Sequence, residues 1–86
     1  MIKDTLKFSE QKMRFGNHVK NLREKIVSLE YPNRSISQQE LSDRKGLLSK
    51  KTIGEIERGE ANPTFETLIA LASILDVSFQ KLFDYE

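Results

Sequence analysis

The chain has 86 residues, 37% of them hydrophobic and 31% charged, which suits one small globular domain and excludes a multidomain enzyme. It contains no cysteine, so disulfides, thiolate metal sites and thiol nucleophiles are excluded and a reducing, cytoplasmic compartment is expected. The net charge of +1 hides a gradient: residues 1–33 carry seven basic side chains against four acidic, residues 34–58 six against four, and residues 59–86 one against five.

No apolar run approaches the roughly 20 residues of a membrane span. The start of the chain, MIKDTLKFSE, alternates polar with apolar residues and does not read as a signal-peptide core. Phe15, Val19, Leu22, Ile26 and Leu29 then recur in steps of 4, 3, 4 and 3, one stripe of an α-helix. A first helix is expected from about Glu10 to Leu29, capped by Ser9 and ended by Pro32. Residues 31–35 (YPNRS) are turn chemistry, since Pro32 biases Tyr31 away from the helical region and Asn33 tolerates left-handed dihedrals.

Ser37-Gln38-Gln39-Glu40 is a capping box, so a second helix begins at Gln38 and runs about two turns, to Gly46 as the residue beyond its end. Ser49 caps a third helix, Lys50 to Arg58, which stops at Gly59. Its Ile53 and Ile56 point inward, while Lys51, Gly54, Glu55 and Arg58 point outward. After Asn62-Pro63, Thr64 caps a fourth helix with the stripe Phe65, Leu68, Ile69, Ala72 and Leu75. Ser78 caps a short fifth carrying Phe79, Leu82 and Phe83. There is no period-2 strand pattern, internal repeat or low-complexity tract.

The expected fold is therefore all-α, a compact five-helix bundle. The second and third helices are too short to be stable alone, so their task is to hold a few residues in place. Two two-turn helices joined by a tight turn, the second with a polar outer face, suggest a helix-turn-helix that binds DNA. Arg44, Lys45, Lys50 and Lys51 lie within eight residues that contain no acid, either a phosphate-binding surface or a solvated face.

The run SQQELSDRKGLLSKKTIGEIERG, Ser37 to Gly59, resembles the repressor/Cro-like (XRE) helix-turn-helix family. The resemblance continues through Pro63, Thr67-Leu68, Ala72, Leu75-Asp76-Val77-Ser78 and Leu82-Phe83, and reaches back to Val19, Leu22 and Arg23. It implies a lambda-repressor-like domain over residues 15–83, with 1–14 as an extension or the first turns of helix 1 and 84–86 as a tail. It also implies transcription regulation by Cro/C1-type binding to double-stranded operator DNA as a dimer. Two departures stand out. The turn Gly46-Leu47-Leu48-Ser49 is one residue longer than is common, and the connection over residues 24–36 is longer than a minimal member needs, which can bring Arg34 near DNA.

Carried over by position, Gln38 matches a glutamine that donates to a phosphate beside the helix N-terminus; otherwise it is a plain first-turn residue. Lys50, Lys51 and Glu55 match base-reading positions, lysine donating to guanine O6 and N7 and Glu55 accepting from cytosine N4. Their alternative is a solvent-facing role. Ser49 and Thr52 are candidate phosphate donors, with capping as the alternative for Ser49. Gly54 costs about 1 kcal/mol against alanine inside a helix, so it either lets the helix approach a groove or is merely tolerated. Arg58 and Asn62 are weaker phosphate candidates. In the family an arginine and a glutamate at the positions of Arg23 and Glu57 form a partly buried ion pair, and the same pair is expected here.

His18 has no second ligand nearby, no nucleophilic triad or phosphate loop is recognisable, and neither an enzyme, a metal nor a cofactor is expected. Apolar residues at both ends, Ile2, Leu6, Phe8 and Met13 at one and Leu82, Phe83 and Tyr85 at the other, suggest packing onto the domain or a homodimer interface. The leading expectation is a sequence-specific regulator consisting of the DNA-binding domain alone. The rival is an antitoxin, a restriction-modification controller, or an adaptor that holds a protein partner such as a toxin on the same bundle.

Overall fold

The structure is a computed structural model that describes residues 6–85, with the side chain of Leu6 outside the description. Four α-helices, α1 (Leu6–Glu24), α2 (Gln38–Asp43), α3 (Lys50–Glu57) and α4 (Phe65–Leu75), are followed by a single 3-10 helix, Gln80–Phe83. The expected fifth α-helix is thus one tight turn. Its Ser78 hydroxyl accepts from the Lys81 N–H as expected, and its Leu82 is fully buried rather than part of an exposed end. Among the described residues there is no strand.

Helix α1 differs from expectation at both ends. It is already helical at Leu6, so Ser9 lies inside it rather than capping it. It ends at Glu24, five residues early, because the backbone beyond finds other partners. Ile36 N donates to Ile26 O (2.7 Å), Ser28 N to Arg34 O (2.9 Å) and Arg34 N to Tyr31 O (2.8 Å), and Val27 bridges Ser35. Residues 26–36 therefore form a small hairpin-like loop, a course that suits the adjacent β-branched Ile26 and Val27. Phe15, Val19 and Leu22 of the stripe are buried and Ile26 packs on the core, but Leu29 is 92% exposed.

The loop is tied to α2. The Ser28 hydroxyl donates to Glu40 Oε2 (2.6 Å) and accepts from the N–H groups of Glu30 and Tyr31. The other Glu40 oxygen accepts from Ser37 N (3.0 Å) while Ser37 Oγ accepts from Glu40 N (3.0 Å), closing the capping box. These bonds hold the Glu40 carboxyl below its ordinary range, the Ser28 hydroxyl contributing most.

The core is one cluster in which Leu41, Ile53, Leu71, Ile74, Leu82 and Val19 are fully buried. Helices α1 and α3 approach most closely at Gly16, where an added Cβ would collide with the backbone carbonyls of Ile56 and Glu57. In α4 the buried face is Leu71, Ala72, Ile74 and Leu75. Ala72 and Leu75 of the expected stripe belong to this face and Leu68 packs against the core, but Phe65 and Ile69 are 66% and 50% exposed, because the core-facing side of so apolar a helix is centred nearer Leu71 and Ile74.

Candidate nucleic-acid interface

The helix-turn-helix is α2, a turn, and α3. Helix α2 ends at Asp43, slightly before the expected boundary, and Gly46 adopts φ +66° beyond it, as Gly59 adopts φ +74° beyond α3; both conformations favour glycine. In the long turn Leu47 is exposed. Leu48 packs on the core, and its carbonyl accepts from the buried Ser42 hydroxyl at 2.7 Å. Residues 43–47 are thus all exposed, and the chain returns to the core only at Leu48.

Ser49 is the N-cap of α3: its oxygen accepts from Thr52 N (3.1 Å) and its hydroxyl donates to Thr52 Oγ1 (3.0 Å). Both hydroxyls thus serve the helix end, the alternative foreseen for Ser49. Lys50 and Lys51 follow on the first turn, exposed and with no hydrogen-bond or ion-pair partner among the described residues. Glu55 is half-buried one turn further along.

Beneath this surface lies a buried network. Arg23 of α1 meets Glu57 of α3 in a two-pronged pair, Nε to Oε2 at 2.7 Å and Nη2 to Oε1 at 3.0 Å, with side chains only 12% and 4% exposed. Arg23 Nη1 also donates to Ile36 O (2.8 Å), so the same guanidinium holds the segment leading into α2. The bond to Glu57 raises the Arg23 pKa further, against the opposing effect of burial. Gln38 Nε2 donates to Glu57 Oε1 (2.9 Å), which spends one of its two hydrogens inside the network and leaves one for another acceptor.

Three expectations change here. Gly54 does not present an open helix face: it is buried, and a Cβ there would lie 2.9 Å from Arg58 Nη1 and 3.3 Å from Gln38 Oε1. Its missing side chain leaves room for these two neighbours. Arg58 folds across this position and pairs with Glu60 at 3.1 Å, both ends exposed, so phosphate would compete with a carboxylate already in place. Arg44 and Lys45 leave the basic cluster and turn to the C-terminus of α4. Arg44 Nη1 donates to Ile74 O (2.7 Å) and Lys45 Nζ to Ser73 O (3.2 Å) and Oγ (3.0 Å). Cations are favoured at such helix ends.

Asn62 is exposed in the loop after α3 and borders an apolar recess of about 220 Å³ lined by Phe8, Phe15, Ile56, Pro63 and Phe83. His18 donates from Nε2 to Lys81 O (2.8 Å) and lies against Tyr85, which gives it a packing role; no group of metal ligands occurs among the described residues. Sequence reasoning missed the Ser28–Glu40 tie and the close approach at Gly16. The capping box did mark Glu40, but nothing local signals a partner twelve residues upstream.

Comparisons with known proteins agree with this geometry. No curated protein sequence matches the chain significantly. Among solved structures, the restriction-modification controller protein C.AhdI from Aeromonas hydrophila is similar, with TM-score 0.70 and 27% identity over 86% of this chain and 98% of that one. An HTH_3 family transcriptional regulator from Vibrio cholerae gives TM-score 0.71 and 36% identity over 88% of this chain, which spans 38% of the Vibrio protein's length. The model of the HTH_3 helix-turn-helix family matches residues 33–82, which hold α2, the turn, α3 and α4. With the two short helices, their caps and the buried brace beneath them in place, the chain belongs to the HTH_3 helix-turn-helix family of DNA-binding transcriptional regulators.

Proposed function

We propose that this regulator reads a specific operator by placing α3 in the major groove. Lys50 and Lys51 donate to guanine O6 and N7, Glu55 accepts from a base amino group, and Gln38 fixes register on a phosphate with its remaining N–H. Ser49 and Thr52 add phosphate contacts only by sharing hydroxyls already engaged in the cap. Arg58 and Asn62 contribute at the edge of the footprint, Arg58 after exchanging Glu60 for phosphate. The observation that carries this reading is the pair Lys50 and Lys51. They are two adjacent cations without partners among the described residues, at the start of a helix braced through Glu57.

The reading includes a homodimer. Phe65 and Ile69 stand one turn apart on α4, at least half exposed, and Phe65 leads through tilted ring contacts with Phe79 to the exposed Phe83, ring centroids 5.2 and 5.5 Å apart. A contiguous apolar patch of this kind is where a partner surface is expected. Two-fold symmetry would set the recognition helices one helical turn of DNA apart, about 34 Å, on a pseudo-palindrome. An Ile69→Glu variant measured by sedimentation should run as a monomer where the parent runs as a dimer.

Selection of bound sequences from a randomised duplex pool tests the operator. An enriched palindrome supports the reading, and sequence-blind binding at low salt contradicts it. A second reading is favoured by the likeness to C.AhdI over nearly that protein's whole length: control of a restriction-modification system through the same DNA contacts. A protein partner such as a toxin would be revealed by co-purification.

A further inference from the structure

The loop between α1 and α2 is longer than a minimal helix-turn-helix needs; its residues 25–32 lie outside the matched family model and Arg34 lies within it. It is nevertheless held firmly. Three backbone bonds of 2.7 to 2.9 Å close it, and the Ser35 hydroxyl fastens it to α1 through Glu24 O. The buried Ser28 fastens it to α2 through Glu40.

At its outer edge the Arg34 guanidinium lies over the Tyr31 ring, 5.0 Å from the centroid, and both side chains are exposed. Arg34 has no carboxylate partner among the described residues. Three acids share its recess: Glu40 spends its two oxygens on Ser28 and Ser37, Asp43 accepts from Gln39 Nε2 (3.0 Å), and Glu30 is the acid of the loop itself. An arginine stacked on an aromatic ring keeps its five donors in a fixed plane, so less freedom is lost when it meets a phosphate.

We infer that this loop is a second DNA-contacting element, in which Arg34, oriented by Tyr31, binds the phosphate backbone of the operator duplex beyond the reach of α3. The inference rests on the docking proposed above. Arg34 is three residues from Ser37, so its backbone lies within about 11 Å of the α2 cap. That cap adjoins Gln38, the residue assigned to the phosphate strand, and Arg34 is assigned to the same strand further along. In homeodomains, three-helix variants of the helix-turn-helix, the loop between the first two helices contacts the backbone.

The test compares the parent with Arg34→Ala, Arg34→Gln and Lys51→Ala, titrated on the selected operator and on a random duplex of equal length across a salt series. The Arg34 variants should lose about fivefold to tenfold in affinity near 0.1 M salt on both duplexes alike. The slope of log affinity against log salt should shrink by about one for each protomer bound. Tyr31→Ala should give a smaller loss of the same sign. If both Arg34 variants keep the parental slope and affinity while the parent binds, the loop does not touch DNA and the inference is overturned. The proposed function fails separately: if Lys51→Ala leaves operator preference intact, base reading by α3 is wrong even where the Arg34 variants behave as expected.

Discussion

Glu57 illustrates how much one side chain carries in so small a domain. It joins α3 to Arg23 of α1 and to Gln38 of α2, at 2.7 to 3.0 Å, in a nearly water-free setting. Removing one partner of a buried pair leaves the other charge unpaired, which costs about 3–5 kcal/mol. Arg23→Ala should therefore remove about a third or more of the stability of a domain this size, about 5–10 kcal/mol in all, and lower the urea midpoint in proportion. An unchanged midpoint would show that the pair does not brace the fold. The residues of this network were legible because the resemblance carried Arg23 and Glu57 over in register. Gln38 was legible only as a surface donor, since a glutamine at the first turn of a helix looks the same from sequence whether it faces water or a neighbouring helix.

At the scale of elements, caps were the most legible features. Ser37, Ser49 and Thr64 each accept from the backbone N–H three residues on, at 3.0 to 3.1 Å, because capping is a local contest decided within one turn. The end of α1 was not legible. The stripe through Ile26 and Leu29 satisfied helical spacing, and only the distant Glu40 and Arg34 show why the chain leaves the helix at Glu24.

The same tie gives a pH prediction. Glu40 has its pKa lowered by folding, so its contribution is present above the unfolded carboxylate value of 4.5 and is lost as pH falls through the lower folded value. Between those limits the parent should lose stability on acidification more steeply than Glu40→Gln, as followed by thermal melting across a pH series; parallel curves would contradict the tie. Packing of α1 on α3 predicts a further loss. At Gly16 a methyl group meets two backbone carbonyls that cannot rotate away, so Gly16→Ala should destabilise by about 1–3 kcal/mol in denaturant titration. A neutral result would mean the helices are further apart than described.

Across the whole molecule, the division between scaffold and reading surface follows the charge. The basic cluster of the sequence separates in three dimensions. Arg44 and Lys45 secure the end of α4, and Lys50 and Lys51 remain outward on α3. Spacing alone could not make that separation, because the carbonyls that engage Arg44 and Lys45 lie about thirty residues away. The apolar surface divides in the same way: Leu82 closes the core, while Phe65 and Ile69 remain uncovered on the face assigned to a second protomer.

In the proposed function α3 distinguishes bases while the α2 cap grips the backbone. The most direct test is the affinity of Lys51→Ala and Gln38→Ala for the selected operator and for a random duplex at one fixed salt concentration. The account predicts that Lys51→Ala loses more on the operator, by about 1–3 kcal/mol, and that Gln38→Ala loses equally on both. Equal losses on the two duplexes for Lys51→Ala would contradict it.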